Sequence, residues 1–467
     1  MGALRVLDQT TVEALRRSFS GEIIRPEDAG YDKARKIWNG DIDRRPALIV
    51  RCAGTADVKA AVRFARERDL PLSVRGGGHA VAGHAVCEGG LVIDLSTMTG
   101  VLVDAEARTA RAQGGCLQHH LDRQTQALGL GVTGGIVSHT GIGGLTLGGG
   151  IGWLMRKLGL TVDNLRACDV VTADGEFLSA SEHENPDLFW GLRGGGGNFG
   201  IVTSFEYTLQ LVGPTVLAGL VLYPMDDATE VLHFFRDLVA DAPDDLGIVA
   251  TLRLAPALPL IPEHLHGKPV VVLVVCYAGA IEEGERLLRP LRAIGTPVLD
   301  VITAKPYCEH QQMLDSAFPH GRHYYWKSRQ LPPLIDEVID VIVEHGRKIT
   351  SAFSSARIFT LGGAVARVDQ GETAYPNRAA AHDINIVGAW EPNDPEPDRH
   401  RQWVRRFWSA LAPYAGGVYV NFMSDEPRAA VAAAYGTHTY ARLAALKKKY
   451  DPTNLFRFNQ NISPAGL

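Results

Sequence analysis

Apolar residues along the chain fall either in short continuous runs or in stripes at helical spacing, and the two patterns together predict an α+β protein. From Ala47 the order is α/β. Ala47-Leu48-Ile49-Val50 has the length of a buried strand, and Val58, Ala61, Val62 and Ala65 then recur at helical spacing behind Thr55, which is placed to cap that helix. Leu72-Ser73-Val74 and Leu91-Val92-Ile93-Asp94-Leu95 predict strands on either side of a glycine-rich stretch. Residues 117–127 read as a helix, Ala167-Cys168-Asp169-Val170-Val171 as a strand, and Pro186 as the opening of a short helix. After Val212-Gly213-Pro214, strands at 216–222, 247–254 and 269–277 alternate with amphipathic helices at 229–240 and 281–293, which predicts a sheet with helices on one face. Gly417-Val418-Tyr419-Val420-Asn421-Phe422 reads as a late strand. Residues 440–450 read as a helix with Leu443, Leu446 and Tyr450 on its apolar side, its terminal Lys447-Lys448-Lys449 solvated and favoured by the helix dipole. The segments 375–382 and 391–398 read as exposed connections, and residues 1–44 as a lead-in with a short helix at 11–18.

At 467 residues the chain exceeds one ordinary core, so two domains are expected. A hydrophobic fraction of 46% with 21% charged residues excludes a disordered chain and fits a soluble globular one. The net charge of -5 offers no basic patch for nucleic acid and no polybasic stripe for a membrane. The most apolar run, Val270-Val271-Val272-Leu273-Val274-Val275, is far too short to span a bilayer, and no leader-like segment opens the chain. Cys52, Cys87, Cys116, Cys168, Cys276 and Cys308 are scattered without C-x-x-C spacing, so free thiols and a cytoplasmic compartment are expected. His119 and His120 sit side by side on a predicted helix, where their rings should diverge, and no metal site is expected.

The chemistry concentrates in three glycine regions. The first is Arg75-Gly76-Gly77-Gly78-His79-Ala80-Val81-Ala82-Gly83-His84, where unhindered amides can wrap a phosphate oxygen and His79 brings a nucleophilic nitrogen. The second runs from Gly134 to Gly152 and interleaves Ile, Val and Leu with its glycines, unlike a polar linker. The third is Gly194-Gly195-Gly196-Gly197-Asn198-Phe199-Gly200-Ile201-Val202. Three such regions among apolar segments imply one extended ligand touched from several sides. The glycines follow the second strand with no clear helix after them, which argues against an ordinary dinucleotide fingerprint.

Taken together, these segments resemble the covalent flavoprotein oxidases typified by berberine bridge enzyme, 6-hydroxy-D-nicotine oxidase and vanillyl-alcohol oxidase. The motifs are Arg75 to His79, Gly141-Ile142-Gly143-Gly144 with Gly148-Gly149-Gly150-Ile151-Gly152, Asp163-Asn164, Asn198 to Thr203, and the ending from Lys449 to Asn461. The resemblance covers residues 24–464. It implies a PCMH-type FAD-binding domain of two subdomains at 45–214, an antiparallel-sheet substrate domain backed by helices at 215–425, and a segment at 426–467 returning to the FAD domain. It further implies that His79 carries the FAD through a ring nitrogen and that Arg75 to Gly83, with His84, cradle the pyrophosphate. The second region, Val137, Thr140 and the glycines 141 to 152 with Asp163 and Asn164, would lie along the flavin. Gly200, Ile201 and Val202 would sit near the adenine, and Asn421, Asn459 and Asn461 would approach the flavin from the C-terminal side.

Three departures sharpen this picture. Doubly linked members carry a cysteine where this chain has Val137; valine has no thiolate, so a single link through His79 is expected. Many members use a tyrosine base in Tyr-x-Asn-Tyr, whereas Tyr419-Val420-Asn421-Phe422 ends in a phenylalanine that cannot take a proton. The base is then Tyr325, Tyr324, Tyr419 or His139, in that order, or the substrate arrives deprotonated; a phenol would need a nearby charge such as Lys327 or Arg357 to serve. Thr140 stands where oxidases tend to have valine, which favours oxygen access. The expected activity is removal of a hydride from a C–H beside an O–H or N–H of a small hydrophobic or aromatic substrate, with O2 reduced to hydrogen peroxide. A dehydrogenase with another acceptor and a flavin-binding protein of little turnover remain open, as do monomer and homodimer.

Overall fold

The computed structural model describes residues 7–424 and 426–466. The first six residues of the expected lead-in, residue 425 and residue 467 lie outside them. Three larger sheets carry the architecture. The first has four strands in the order Glu22–Ile24, Leu48–Arg51, Leu91–Asp94, Leu72–Arg75. Its last three are parallel, because the helix Thr55–Glu67 makes the crossover that parallel neighbours require. The second is a five-stranded antiparallel sheet, ordered Val101–Asp104, Thr109–Gln113, Ile201–Thr208, Leu165–Val171, Phe177–Ser181. The first glycine segment leaves the first sheet after Leu72–Arg75, and the third leads into Ile201–Thr208 of the second.

The third sheet has eight strands and is antiparallel throughout. Its central strand Pro269–Tyr277 explains why the sequence there is apolar without alternation. Val271, Leu273 and Val275 enter the core beneath the helices Ala228–Asp241, Asp336–Gly346 and Asp398–Ala410. Val270, Val272, Val274 and Cys276 face the other way, into a cluster with Trp153, Leu154 and Tyr419 from the glycine-rich side. Both faces are covered, so both must be apolar. The strands Ser355–Thr360 and His382–Trp390 differ. Ala356, Ile358, Ile384 and Ile386 enter the helix-backed core, while Arg357, Phe359, Asp383 and Asn385 occupy the opposite face.

Several expectations are corrected. The helix at 55–67 is capped by Gly54 without a side-chain bond; Asp57 instead accepts the amides of Ser20 and Ala53, each at 2.8 Å. Gly417 makes a lone bridge to Gln330 and Val420–Phe422 is a 3-10 turn rather than a strand, which lets side chains radiate in several directions. Tyr375 and Arg378 are buried, not exposed, because the Tyr375 hydroxyl accepts from Gln330 and Arg378 pairs with Asp163. Lys447 is buried too, in an ion pair with Asp451. The rings of His119 and His120 lie side by side at 4.2 Å, steered by backbone bonds at Leu117 and Ser138. All six cysteines are free thiols, and no helix of the described residues is long and apolar enough to cross a membrane.

Candidate active site

The three glycine regions converge on one cavity. Gly76, Gly77 and Gly78 line it from the first region, Gly141, Gly143 and Gly144 from the second, and Gly196, Gly197 and Gly200 from the third. At the centre the first two regions touch backbone to backbone. A Cβ on Gly77 would come within 2.4 Å of the Gly141 nitrogen, and a Cβ on Gly141 within 2.4 Å of the Gly77 nitrogen. Only glycine permits that approach. Ala80, Val81, His84, Val137, Thr140, Ile201 and Val202 complete this wall. From the C-terminal side come Asn421, Asn459 and Gln460; Asn459 donates to the carbonyls of Gly197 and Phe456, and its buried Oδ1 has no partner among the described residues. Such a cradle of bare amides fits a long ligand with a phosphate arm, and the unsatisfied Asn459 acceptor calls for a hydrogen-bond donor elsewhere on it.

At one end of the cradle His79 Nε2 lies 2.8 Å from His139 Nδ1, with His320 beside both rings. One ring nitrogen from each falls within 4.8 Å of the others, a cluster that no spacing along the chain suggests. Trp38 is stacked between His79, at 5.0 Å, and Tyr324, at 3.8 Å. Burial, then the neighbouring imidazoles, hold the His79 pKa well below that of a free histidine, so its ring is neutral and nucleophilic at neutral pH. With Nε2 engaged by His139, Nδ1 is the ring nitrogen left without a hydrogen-bond partner among the described residues.

The remaining predicted residues are placed elsewhere. The Arg75 side chain turns from the cavity to Asp94, at 2.5 Å, and to backbone carbonyls of Ala34 and Lys36. Gly83 packs on Ile42, Gly148 on Asn421, Gly149 on Tyr375, Gly150 on Thr161 and Gly152 on the Gly134 carbonyl, so these glycines serve close packing. Asp163 makes a two-pronged pair with Arg378 at 2.7 Å, and Asn164 holds the carbonyls of Leu158 and Leu160. Asn461 does not line the cavity. Tyr324 donates its hydroxyl to the Pro319 carbonyl, with its pKa pushed up by burial. Tyr325 packs against the helix-backed core under Arg405, away from the cavity. Of the three tyrosine candidates for the base, Tyr419 alone lines the cavity.

The second wall is aromatic: Phe318, Trp326, Phe359 and Phe422, with Tyr419 where it meets the glycines. The Tyr419 oxygen accepts from Gly150 N–H and Asn421 Nδ2, each at 2.9 Å, yet burial pushes its pKa up to about 12. Its own proton therefore stays on and is available to donate. The sequence reading missed two polar groups in the strand behind this wall, Asp383 and Asn385, which do not line the cavity and whose buried side-chain atoms have no partners among the described residues. Burial raises the Asp383 pKa well above the carboxylate range. The alternation Asp383-Ile384-Asn385-Ile386 was a visible signal, though one that ordinarily marks a solvent face.

Comparison with known proteins agrees with this geometry. A model of an FAD binding domain matches residues 46–181, and one described as berberine and berberine like matches residues 418–463. An FAD-linked oxidoreductase of Dictyostelium discoideum is 33% identical, covering 96% of this chain and 95% of that one. The (R)-6-hydroxynicotine oxidase of Paenarthrobacter nicotinovorans is 32% identical over 96% and 98%. The crystal structure of 6-hydroxy-D-nicotine oxidase from Arthrobacter nicotinovorans superposes with a TM-score of 0.86 at 30% identity, covering 96% and 98% of the two chains. With the cradle, the C-terminal cover and relatives matched over nearly their whole length, the chain belongs to the FAD-linked oxidoreductases of the berberine-bridge-like family.

Proposed function

We propose that this enzyme is an oxidase of a small hydrophobic or aromatic alcohol or amine, with FAD tethered once, through Nδ1 of His79. The observation that carries the reading is the single cavity in which the cradle, His79 and the aromatic wall are continuous. Residues 45–214 and 426–467 would hold the cofactor and 215–425 the substrate. The amides of Gly76 to Gly78 and Gly141 to Gly144 would bind the phosphate arm, and Asn459 with Gln460 would cover it. Val137 lines the cavity and offers no thiolate for a second link. Bound FAD supplies the acceptor for a hydride and passes the electrons to O2 as hydrogen peroxide.

The chain's own part is positioning. His139 would accept the Nε2 proton of His79, making Nδ1 the better nucleophile for attachment. The aromatic wall excludes water and sets the substrate ring against the cradle. Tyr419, protonated and held by Gly150 and Asn421, would donate a hydrogen bond to a substrate heteroatom that arrives already deprotonated, as a free amine or an alkoxide, so that hydride loss alone gives the iminium or carbonyl product. Thr140, on the same cavity, leaves room for O2. Alcohols and amines should be screened against the holoprotein by peroxide release, together with flavin fluorescence of the denatured band on a gel. Peroxide with a fluorescent band supports the reading. Turnover only with an artificial acceptor would overturn the oxidase assignment, and a non-fluorescent band from yellow protein would overturn the tether.

A further inference from the structure

The sheet face that looks onto the cavity carries a cation whose counter-ion is not supplied by the chain. Arg357 sits in the strand Ser355–Thr360, lines the cavity and is 6% exposed. Its guanidinium lies 4.0 Å over the Phe318 ring and donates to Ser355 Oγ at 3.0 Å; no carboxylate among the described residues pairs with it. Burial, then the nearby Arg253, pulls its pKa down to about 9. A buried guanidinium with one neutral partner for five N–H donors is costly unless an anion joins it. Arg253 cannot help, being a second cation whose Nε donates to the Leu254 carbonyl at 3.2 Å. The carboxylate on the same sheet face, Asp383 opposite Phe359, makes no ion pair with Arg357, and Glu391 and Glu426 are committed to Arg322 and Lys327. Directly across the ladder from Arg357, on the same face, stands Asn385, fully buried with both amide atoms unpartnered.

We propose that the substrate is an aromatic carboxylate, its carboxylate held by Arg357 and its ring by Phe318, Trp326 and Phe359, with Asn385 in the layer behind them. A carboxylate matches the planar fork of a guanidinium with two parallel bonds, which the single oxygen of a phenolate cannot do. The assignment rests on the oxidase reading only in treating the cavity's occupant as the substrate.

The test is calorimetric titration of the holoprotein with benzoate, benzamide and 4-nitrophenolate, repeated on Arg357→Gln and Arg357→Lys. Benzoate should bind at least about tenfold tighter than benzamide, the scale of a charge-assisted hydrogen bond. Arg357→Gln should weaken benzoate by roughly thirtyfold and leave benzamide within about threefold, and Arg357→Lys should recover part of the loss. Should the glutamine variant not fold, the lysine variant alone must weaken benzoate and spare benzamide. Equal binding of benzoate and benzamide, equal weakening of both by the variants, or a preference for 4-nitrophenolate would overturn the proposal. Binding is read without turnover, so the two readings fail separately. Benzoate preference without peroxide from any carboxylated alcohol or amine sinks the oxidase and spares the anchor. Peroxide from neutral alcohols and none from their carboxylated analogues does the reverse.

Discussion

Replacing Gly77 by alanine tests whether the glycines are there for backbone contact or for looseness. The added Cβ would lie 2.4 Å from the Gly141 nitrogen, 2.5 Å from its Cα and 3.0 Å from Leu117 Cδ2. Ordinary contact needs about 3.4 Å or more, so the two loops must part by roughly 1 Å. Gly141 cannot simply yield, because it bridges Leu117 and its neighbour Ile142 donates to the Cys116 carbonyl at 3.0 Å. Gly78 is tied likewise, its carbonyl accepting the Trp38 amide at 3.2 Å. Overpacking of this kind costs about 1–3 kcal/mol, and 2 kcal/mol is roughly a thirtyfold change in an equilibrium. The clash falls where the cradle would close on its cofactor, so the loss should appear in both stability and flavin occupancy. Purified Gly77→Ala protein should show lower absorbance near 450 nm per chain and unfold at lower urea. Gly416→Ala, with nothing within 4 Å of its added methyl and no part in the cavity, should match the parent in both. Full flavin and an unchanged unfolding midpoint in Gly77→Ala would refute the contact argument.

Lys447 donates to the carbonyls of Asn198 and Phe456 and to Asp451 Oδ2, all at 2.6–2.8 Å and wholly buried, so it pins the C-terminal segment to the third glycine region. Lys447→Met should cost about 3–5 kcal/mol by stranding Asp451, while Lys448→Met should be near neutral; chemical denaturation of both compares them. His139→Ala removes the acceptor facing His79 Nε2 and should slow flavin attachment about tenfold or more without preventing it, read as fluorescent band against time after FAD is added to apoprotein. An unchanged rate would remove His139 from that step. Burial raises the Asp122 pKa to about 7, so this acid favours the folded state fully only below its unfolded value near 3.8, and that favour is lost as pH rises through 7. Asp122→Asn should therefore gain about 2–3 kcal/mol more over the parent at pH 8.5 than at pH 5 in urea titrations, and an equal gain at both would contradict the buried-acid account.

The strands and helices were legible because most of them bury a face or a stripe, and period alone reveals that. The cradle was legible for a different reason: glycines crowded among apolar residues have few uses besides close approach. Yet the sequence could not separate two kinds of approach. Gly77 and Gly141 line the cavity, whereas Gly148 to Gly152 meet Asn421, Tyr375 and Thr161 inside the protein. Lys447 was misread because three lysines together suggest solvent. The helix spacing from Leu443 to Lys447, and the Asp451 four residues on, mark it as an inward position. Trp38 and His320 left no trace, since their meeting with His79 depends on segments far apart in the chain.

Asp383 and Asn385 escape the sequence reading for one physical cause, and it bears on how this fold changes its chemistry. Asp383, Asn385 and Arg357 alternate with isoleucine and alanine, which in an isolated sheet is the pattern of a wet face over a dry core. Here the polar face is covered by the cofactor side of the molecule, so its charges are buried and must be matched by whatever enters between. The cradle binds with backbone, which is insensitive to side-chain identity at most positions. The sheet binds with side chains whose strands are anchored from behind by an independent apolar core. Substitution at Trp326, Arg357 or Phe359 can thus alter what is recognised while leaving the cofactor cradle and the helix-backed core intact. That division fits a TM-score of 0.86 to a relative of 30% identity, and on the carboxylate-anchor proposal it puts the enzyme's selectivity on the charge of this face rather than on the glycines.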